Sequence, residues 1–355
     1  MTGSIRSWTR LGGVMASCTL TTMAAGASLH VDQDVPDYDF QWAMIGAPGN
    51  RAYEGTSSPW EQPLRGRGRV NYRYRMSVLE VTTAQWMEFM RTVVPLAPNV
   101  IEAHSDLRPT HWGARAPNYG VYQLRTDVEN PGMLPVFGLT WRAAAKYVNW
   151  LENGKQASYE SILSGVYDAS TFTQNPDSSF NDQPAHGPGA RFWIPTQDEW
   201  MKAVHFDPGA EDAEFPGTGR WWDYPNSRDT ALVVGPPGAG QTLAGLDHWI
   251  GISPYDVPLG SFPDVLTPWG LLDASGGASE WNEEVVLPDN PFFRAIDGDE
   301  AGSTPWFGWI DHVSGVNWLS PEGHFAGLRI ASIVPSPSVV LPIAGLCLVR
   351  GGRSR

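Results

Sequence analysis

Cysteine is almost missing. The 355 residues include two, Cys18 and Cys347, one near each end. The long stretch between them therefore forms no disulfide and offers no thiolate for metal binding, redox exchange or nucleophilic attack. Lysine is nearly as scarce, with Lys146, Lys155 and Lys202 alone, and the formal charge is −14. An acidic surface of that kind repels phosphate backbones and argues against nucleic acid as a partner. No stretch reaches the ~20 apolar residues that span a bilayer comfortably, and no solenoid-type repeat is present. What the chain has instead is 17 tryptophans, 38 glycines and 30 prolines. Turns set by Gly and Pro, with large rings filling the gaps between them, predict an irregular, turn-rich fold with modest regular structure. A body of about 300 residues can hold itself together on its apolar core without disulfides.

Both ends read as addresses. Arg6 and Arg10 precede an apolar, small-residue stretch over 11–27 that closes on Ala25-Gly26-Ala27, an A-x-A cleavage pattern. A signal peptide over 1–27 and an exported protein are expected. Met15-Ala16-Ser17-Cys18 resembles a lipoprotein box, but only about seven apolar residues precede Cys18, the short limit for such a leader. At the other end, Val334-Pro-Ser-Pro-Ser338 leads into the apolar run 339–349 and then Arg350, Arg353 and Arg355. That run is too short for an ordinary anchor, so no stable membrane span is expected after processing. Hinge, apolar segment and terminal arginines over 334–355 resemble a PEP-CTERM sorting signal, with Ser336 where that signal carries an acid. The resemblance implies exosortase-type processing machinery as a partner and the envelope or exterior of a Gram-negative bacterium as the destination.

Three amphipathic helices are legible in the body. One starts at Thr82 with Gln85 as a capping box and puts Trp86, Phe89, Met90 and Val93 on one stripe. It follows a strand-like alternation of Val70, Tyr72, Tyr74 and Met76 on one face. A second starts at Thr140, faces Ala144, Tyr147, Val148 and Leu151 inward and stops at Asn153-Gly154. A third follows Pro195, capped by Thr196 and Glu199, with Trp200 and Val204 inward. Segments 175–188, 208–237 and 287–303 carry no sustained period and read as turns.

Residues 269–281 read W-G-L-L-D-A-S-G-G-A-S-E-W and set Asp273 and Glu280 on either side of a small-residue turn. Two hard oxygen ligands beside a backbone that can approach closely suit Ca²⁺, and a tight turn with solvated acids suits the same spacing. Other patterns fail sooner. Residues 235–242 imitate a P-loop, but Gln241 stands where the phosphate-binding Lys belongs and two prolines constrain the loop. Asp297-Gly298-Asp299-Glu300 does not continue as an EF-hand and reads as a solvated turn. Glu283 and Glu284 are adjacent and would face opposite sides of a strand. The eight histidines are scattered, and each reads as an ordinary surface or core hydrogen-bonding residue.

Six segments occur in an order that resembles the formylglycine-generating enzyme (sulfatase-modifying factor) domain: 80–89 (E-V-T-T-A-Q-W-M-E-F), 135–145, 191–200, 259–262, 269–281 and 327–331 (G-L-R-I-A). The resemblance spans 38–333. It implies an α+β, irregular, turn-rich fold related to C-type lectins. It also implies a Ca²⁺ site formed by the Asp273 and Glu280 side chains with the Gly276 and Ala278 carbonyls, while the family's usual Asn in this loop is Gly277 here. Family members hold copper through a pair of cysteines after the Gly-rich loop, and thiolate softness selects Cu(I). Residues 293–328 contain no cysteine, so no copper is expected. The histidine-bound iron of a second branch has no closely spaced histidine pair to match. The chain is therefore expected to be a calcium-braced, non-catalytic binding or structural module whose Trp-rich surface takes a peptide or glycan ligand. The competing expectation is an oxidoreductase of the same superfamily working through a different metal or a non-cysteine site.

Overall fold

The computed structural model describes residues 35–55, 64–246, 253–287, 290–301, 309–310, 320–323 and 326–335. The expected leader and the tail from 336 onward lie outside them. Residues 35–335 form one compact unit. Its regular elements are β1 (Trp42–Ile45), β2 (Tyr74–Ser77), α1 (Thr83–Val93), α2 (Val100–Leu107), β3 (Ala114–Asn118), β4 (Val121–Leu124), α3 (Trp141–Glu152), β5 (Phe192–Trp193), α4 (Gln197–His205), β6 (Phe206–Asp207), β7 (Arg220–Trp221), β8 (Ser275–Gly277), β9 (Glu280–Leu287), β10 (Asn290–Asp297), β11 (Asp299–Glu300) and β12 (Ala331–Ser332). Helices and short strands joined by turns make a mixed α and β fold with little regular structure. Among the described residues, no helix is long and apolar enough to cross a membrane.

The capped helices form where the sequence places them. Thr82 and Thr196 each accept from the N3 amide while Gln85 and Glu199 return the bond, and Thr140 caps α3 through the Ala143 amide. Glycine at 154 then adopts φ 74°, ending α3 in the left-handed region. The stripe of α1 meets that of α3 in an aromatic stack: Trp86 lies 5.0 Å from Tyr147, and Phe89 5.3 Å from both Tyr147 and Trp150. All four rings are buried. Helix α2 was not legible. Its apolar period is only two turns long, although Asn99 at the N-cap accepts from Glu102 and carried the local signal.

One sheet, in the order β1-β2-β12-β5, runs antiparallel throughout, with Ala331 opposite both Met76 and Trp193. The alternation expected on its second strand is not found. All four residues of β2 are buried, and Tyr72 lies outside the strand and is exposed. A central strand covered on both faces has no period of two to read. The same holds for 287–303, where β10 pairs with β9 and Ala295, Ile296 and Asp297 are buried in succession. Asp297 and Asp299 are not solvated: β11 pairs in parallel with β8, and Ser275 Oγ donates to Asp299 at 3.0 Å. In 235–242 the amides of Gly235, Ala239 and Gly240 donate to carbonyls of their own turn, leaving no phosphate cradle there.

Candidate functional site

Arg329 is fully buried, as are its chain neighbours Leu328 and Ile330. Its Nη1 donates to the carbonyls of Ser77 (2.8 Å) and Val78 (2.6 Å), its Nη2 to Leu272 (2.9 Å), and its Nε to Glu280 (3.0 Å). Glu280, the first residue of β9, also accepts from the Trp200 indole at 2.5 Å. Glu80, on the loop between β2 and α1, receives the Ala278 amide at 3.0 and 3.1 Å. Asp273 receives the Gly260 amide at 2.6 Å. Trp281 donates to the Leu139 carbonyl and Trp141 to that of Asn282. Each of the six segments that carried the family resemblance thus takes part in at least one of these hydrogen bonds. Desolvation, reinforced by the Glu280 charge, raises Glu80 well above the usual carboxylate range, and Arg329 pairs with Glu280. Burial likewise raises Asp273 to about 6, against the pull of the Gly260 amide and of Arg329.

That geometry bears on the four positions expected to hold calcium. Ca²⁺ takes about 6–8 oxygen ligands. Glu280 is already neutralised by a guanidinium and bonded to an indole. Glu80 fills the space beside the loop: a Cβ on Gly277 would sit 2.2 Å from its Oε1. Asp273, the other acid of the expected set, accepts the Gly260 amide, and as placed Glu280 could serve a calcium ion only by giving up Arg329. Among the described residues, no group of three or more His, Cys, Asp or Glu is arranged for a metal. The melting temperature should accordingly be the same in millimolar calcium and in chelator. A rise with calcium, which binding to the folded state alone would produce, would restore the expected site.

A cleft of about 560 Å³ lies elsewhere, against the middle of β9 and β10. Glu283 and Glu284 both line it, but with opposite sets of partners, as strand geometry requires. Glu283 is buried; it accepts from Tyr167 Oη at 2.8 Å and faces His186 Nδ1 at 2.9 Å. Burial lowers the His186 pKa, but the hydrogen bond and charge of Glu283 outweigh it and the net shift is upward. Glu284 pairs with Arg67 at 2.6 Å. Arg294 lies 3.8 Å over the Trp141 ring and gives its guanidinium to the carbonyls of Asp182, Gln183, Pro184 and Glu283. Asp182 is held by Arg142 at 2.7 and 2.8 Å, and Arg142 also covers the Phe180 ring. The walls are thus aromatic and proline surface over a floor of fixed, paired charges. The sequence sets Glu283 beside Glu284 on opposite sides of a strand and shows no more of its surroundings. Its partners Tyr167 and His186 lie far away along the chain, and no local pattern announces them.

Residues 43–320 match the sulfatase-modifying factor enzyme 1-like domain, and the chain belongs to that family. No curated protein matches it. Similar solved structures include the variable protein 1 of Treponema denticola (17% identity, 83% of this chain and 95% of that one, TM-score 0.49). They also include CarF (15%, 83% and 98%, 0.45) and PvdO of Pseudomonas aeruginosa (14%, 83% and 92%, 0.40).

Proposed function

We propose that this chain is an exported, envelope-sorted member of the family that binds a ligand and does not oxidise one. The observation that carries the reading is the complete absence of cysteine between Cys18 and Cys347, in a domain that keeps the six ordered segments of the family resemblance. Copper held by thiolates has no ligands here. The cleft of about 560 Å³ is the proposed binding site. Phe180, Phe293, Pro184 and Pro321 offer flat apolar surface, and Asp182, Glu283 and Glu284 offer acceptors fixed by Arg142, His186 and Arg67. Such a mixture suits the apolar faces and hydroxyl or amide edges of a glycan or an extended peptide. A leader over 1–27 and a sorting tail over 334–355 would deliver this surface to the cell exterior.

The test has two arms. Incubated with a sulfatase-type cysteine peptide, copper and oxygen, the purified chain should yield no aldehyde by mass spectrometry. Turnover would instead favour the oxidoreductase reading through a non-cysteine site. On peptide and glycan arrays the chain should retain a defined set of ligands, and Phe180→Ala should weaken them by about five- to thirty-fold, the equivalent of about 1–2 kcal/mol at a buried aromatic contact. Unchanged affinity in that variant would move the site away from the cleft.

A further inference from the structure

We infer that a second pocket, independent of the cleft, is a binding site for a small multivalent oxyanion. It has a volume of about 320 Å³ and lies where the C-terminal end of α2 meets the β3–β4 hairpin. Three guanidinium groups line it, each supplied by a different piece of chain. Arg108 caps α2, Arg115 lies on β3, and Arg125 follows β4. Buried Trp112 and the exposed ring of His111 complete the wall.

The three arginines are not equivalent. Arg125 is fixed by Asp256 (2.5 and 3.1 Å) and by Asp127 (2.9 Å), so its fork is already oriented and balanced. Arg108 and Arg115 are exposed and make no ion pair among the described residues. Their charge is felt nearby. Arg108 adds to the burial that lowers His104, and Arg115 contributes to the lowering of Asp127, after the larger effect of Arg125. Asp256 is the one acid in the lining, so the pocket carries a net positive charge inside a chain of formal charge −14. A concave surface of reversed sign focuses an anion that the rest of the molecule repels.

The pocket is also built tightly. A Cβ on Gly113 would lie 1.8 Å from the Pro131 carbonyl, so only glycine lets the Trp112 wall close against that turn. His111 stacks 5.0 Å from Tyr255 with an 8° angle between the rings, and Tyr255 stands next to Asp256. The wall, the acid that orients Arg125 and the aromatic support are thereby held in one place. Two open guanidinium forks beside a preset third match the several oxygens of a di- or trianion.

Isothermal titration of the full chain at low ionic strength, with citrate, pyrophosphate and sulfate as separate probes, tests the inference. One saturable site is expected for at least one of them, absent with sodium chloride at equal ionic strength. The preferred probe then tells a carboxylate source from a phosphoryl or sulfuryl one. The double variant Arg108→Gln/Arg115→Gln should weaken binding about ten-fold or more, the loss of charge-assisted hydrogen bonds. Arg69→Gln/Arg73→Gln removes the same charge from exposed positions outside the pocket and should leave binding within about two-fold. No saturable binding of any probe would overturn the site, and so would equal weakening in both double variants, since that would be the general field of the protein.

Discussion

Arg329→Met should destabilise the protein by about 3–5 kcal/mol in urea denaturation, the cost typical of leaving a buried charge without its partner. Methionine matches the length of the arginine stem, so the loss is not chiefly one of volume. Without the guanidinium, Glu280 keeps only the Trp200 indole, and the carbonyls of Ser77, Val78 and Leu272 lose their donor at once. Combining the change with Glu280→Gln should be less harmful than the sum of the two single changes, because a neutral amide no longer demands a counterion. Strict additivity would mean that Glu280 and Arg329 do not act as a pair, and the account of the central network would fail with it.

The same network shows what a sequence can and cannot disclose. Thr82 with Gln85 and Thr196 with Glu199 were legible because a cap and its return bond lie within one helical turn. Arg329 was visible as a letter in G-L-R-I-A, and its apolar neighbours were the one hint that its charge is buried. Its counterion Glu280 lies in another motif, and Glu80, which blocks the loop beside them, in a third. Spacing alone therefore left Glu280 open to a cation from solution, when the fold supplies a cation of its own. Gly277 is similar. A Cβ at this position would stand 2.2 Å from the Glu80 carboxylate, a crowding that the sequence of the loop does not announce. The hairpin of β9 and β10 and the buried Asp297 and Asp299 were misread for another cause. Residues 280–283 and 294–297 are buried in succession, so polar and apolar residues do not alternate there. The oxyanion pocket was not legible at all, since α2, the end of β4 and Asp256 meet only in space.

Lowering the pH should expose a second large effect, centred on His205. This residue ends α4, is buried, and lies with Nδ1 3.0 Å from the Trp222 carbonyl. Burial is the leading cause that drives its pKa down to about 3, the carbonyl pulling weakly the other way. The folded protein therefore keeps a neutral imidazole that donates to Trp222, while the unfolded chain takes up a proton below about 6.5. A depressed pKa of this kind contributes stability that is complete above about 6.5 and lost as the pH falls toward 3. The loss is roughly 1.4 kcal/mol per pH unit within that window. Buried acids act in the opposite sense. Desolvation raises Asp297 to about 7, so its cost to the fold is relieved on acidification between about 7 and 4. The wild-type curve alone mixes the two, and a comparison with His205→Asn separates them. Asparagine keeps an N–H for the Trp222 carbonyl and does not titrate, and the smaller side chain costs the same at every pH. The wild type should exceed the variant in unfolding free energy at pH 7.5, and that advantage should shrink by roughly 3 kcal/mol by pH 4. A gap that stays constant between pH 7.5 and pH 4 would show that His205 is protonated in the folded protein as readily as in the unfolded chain.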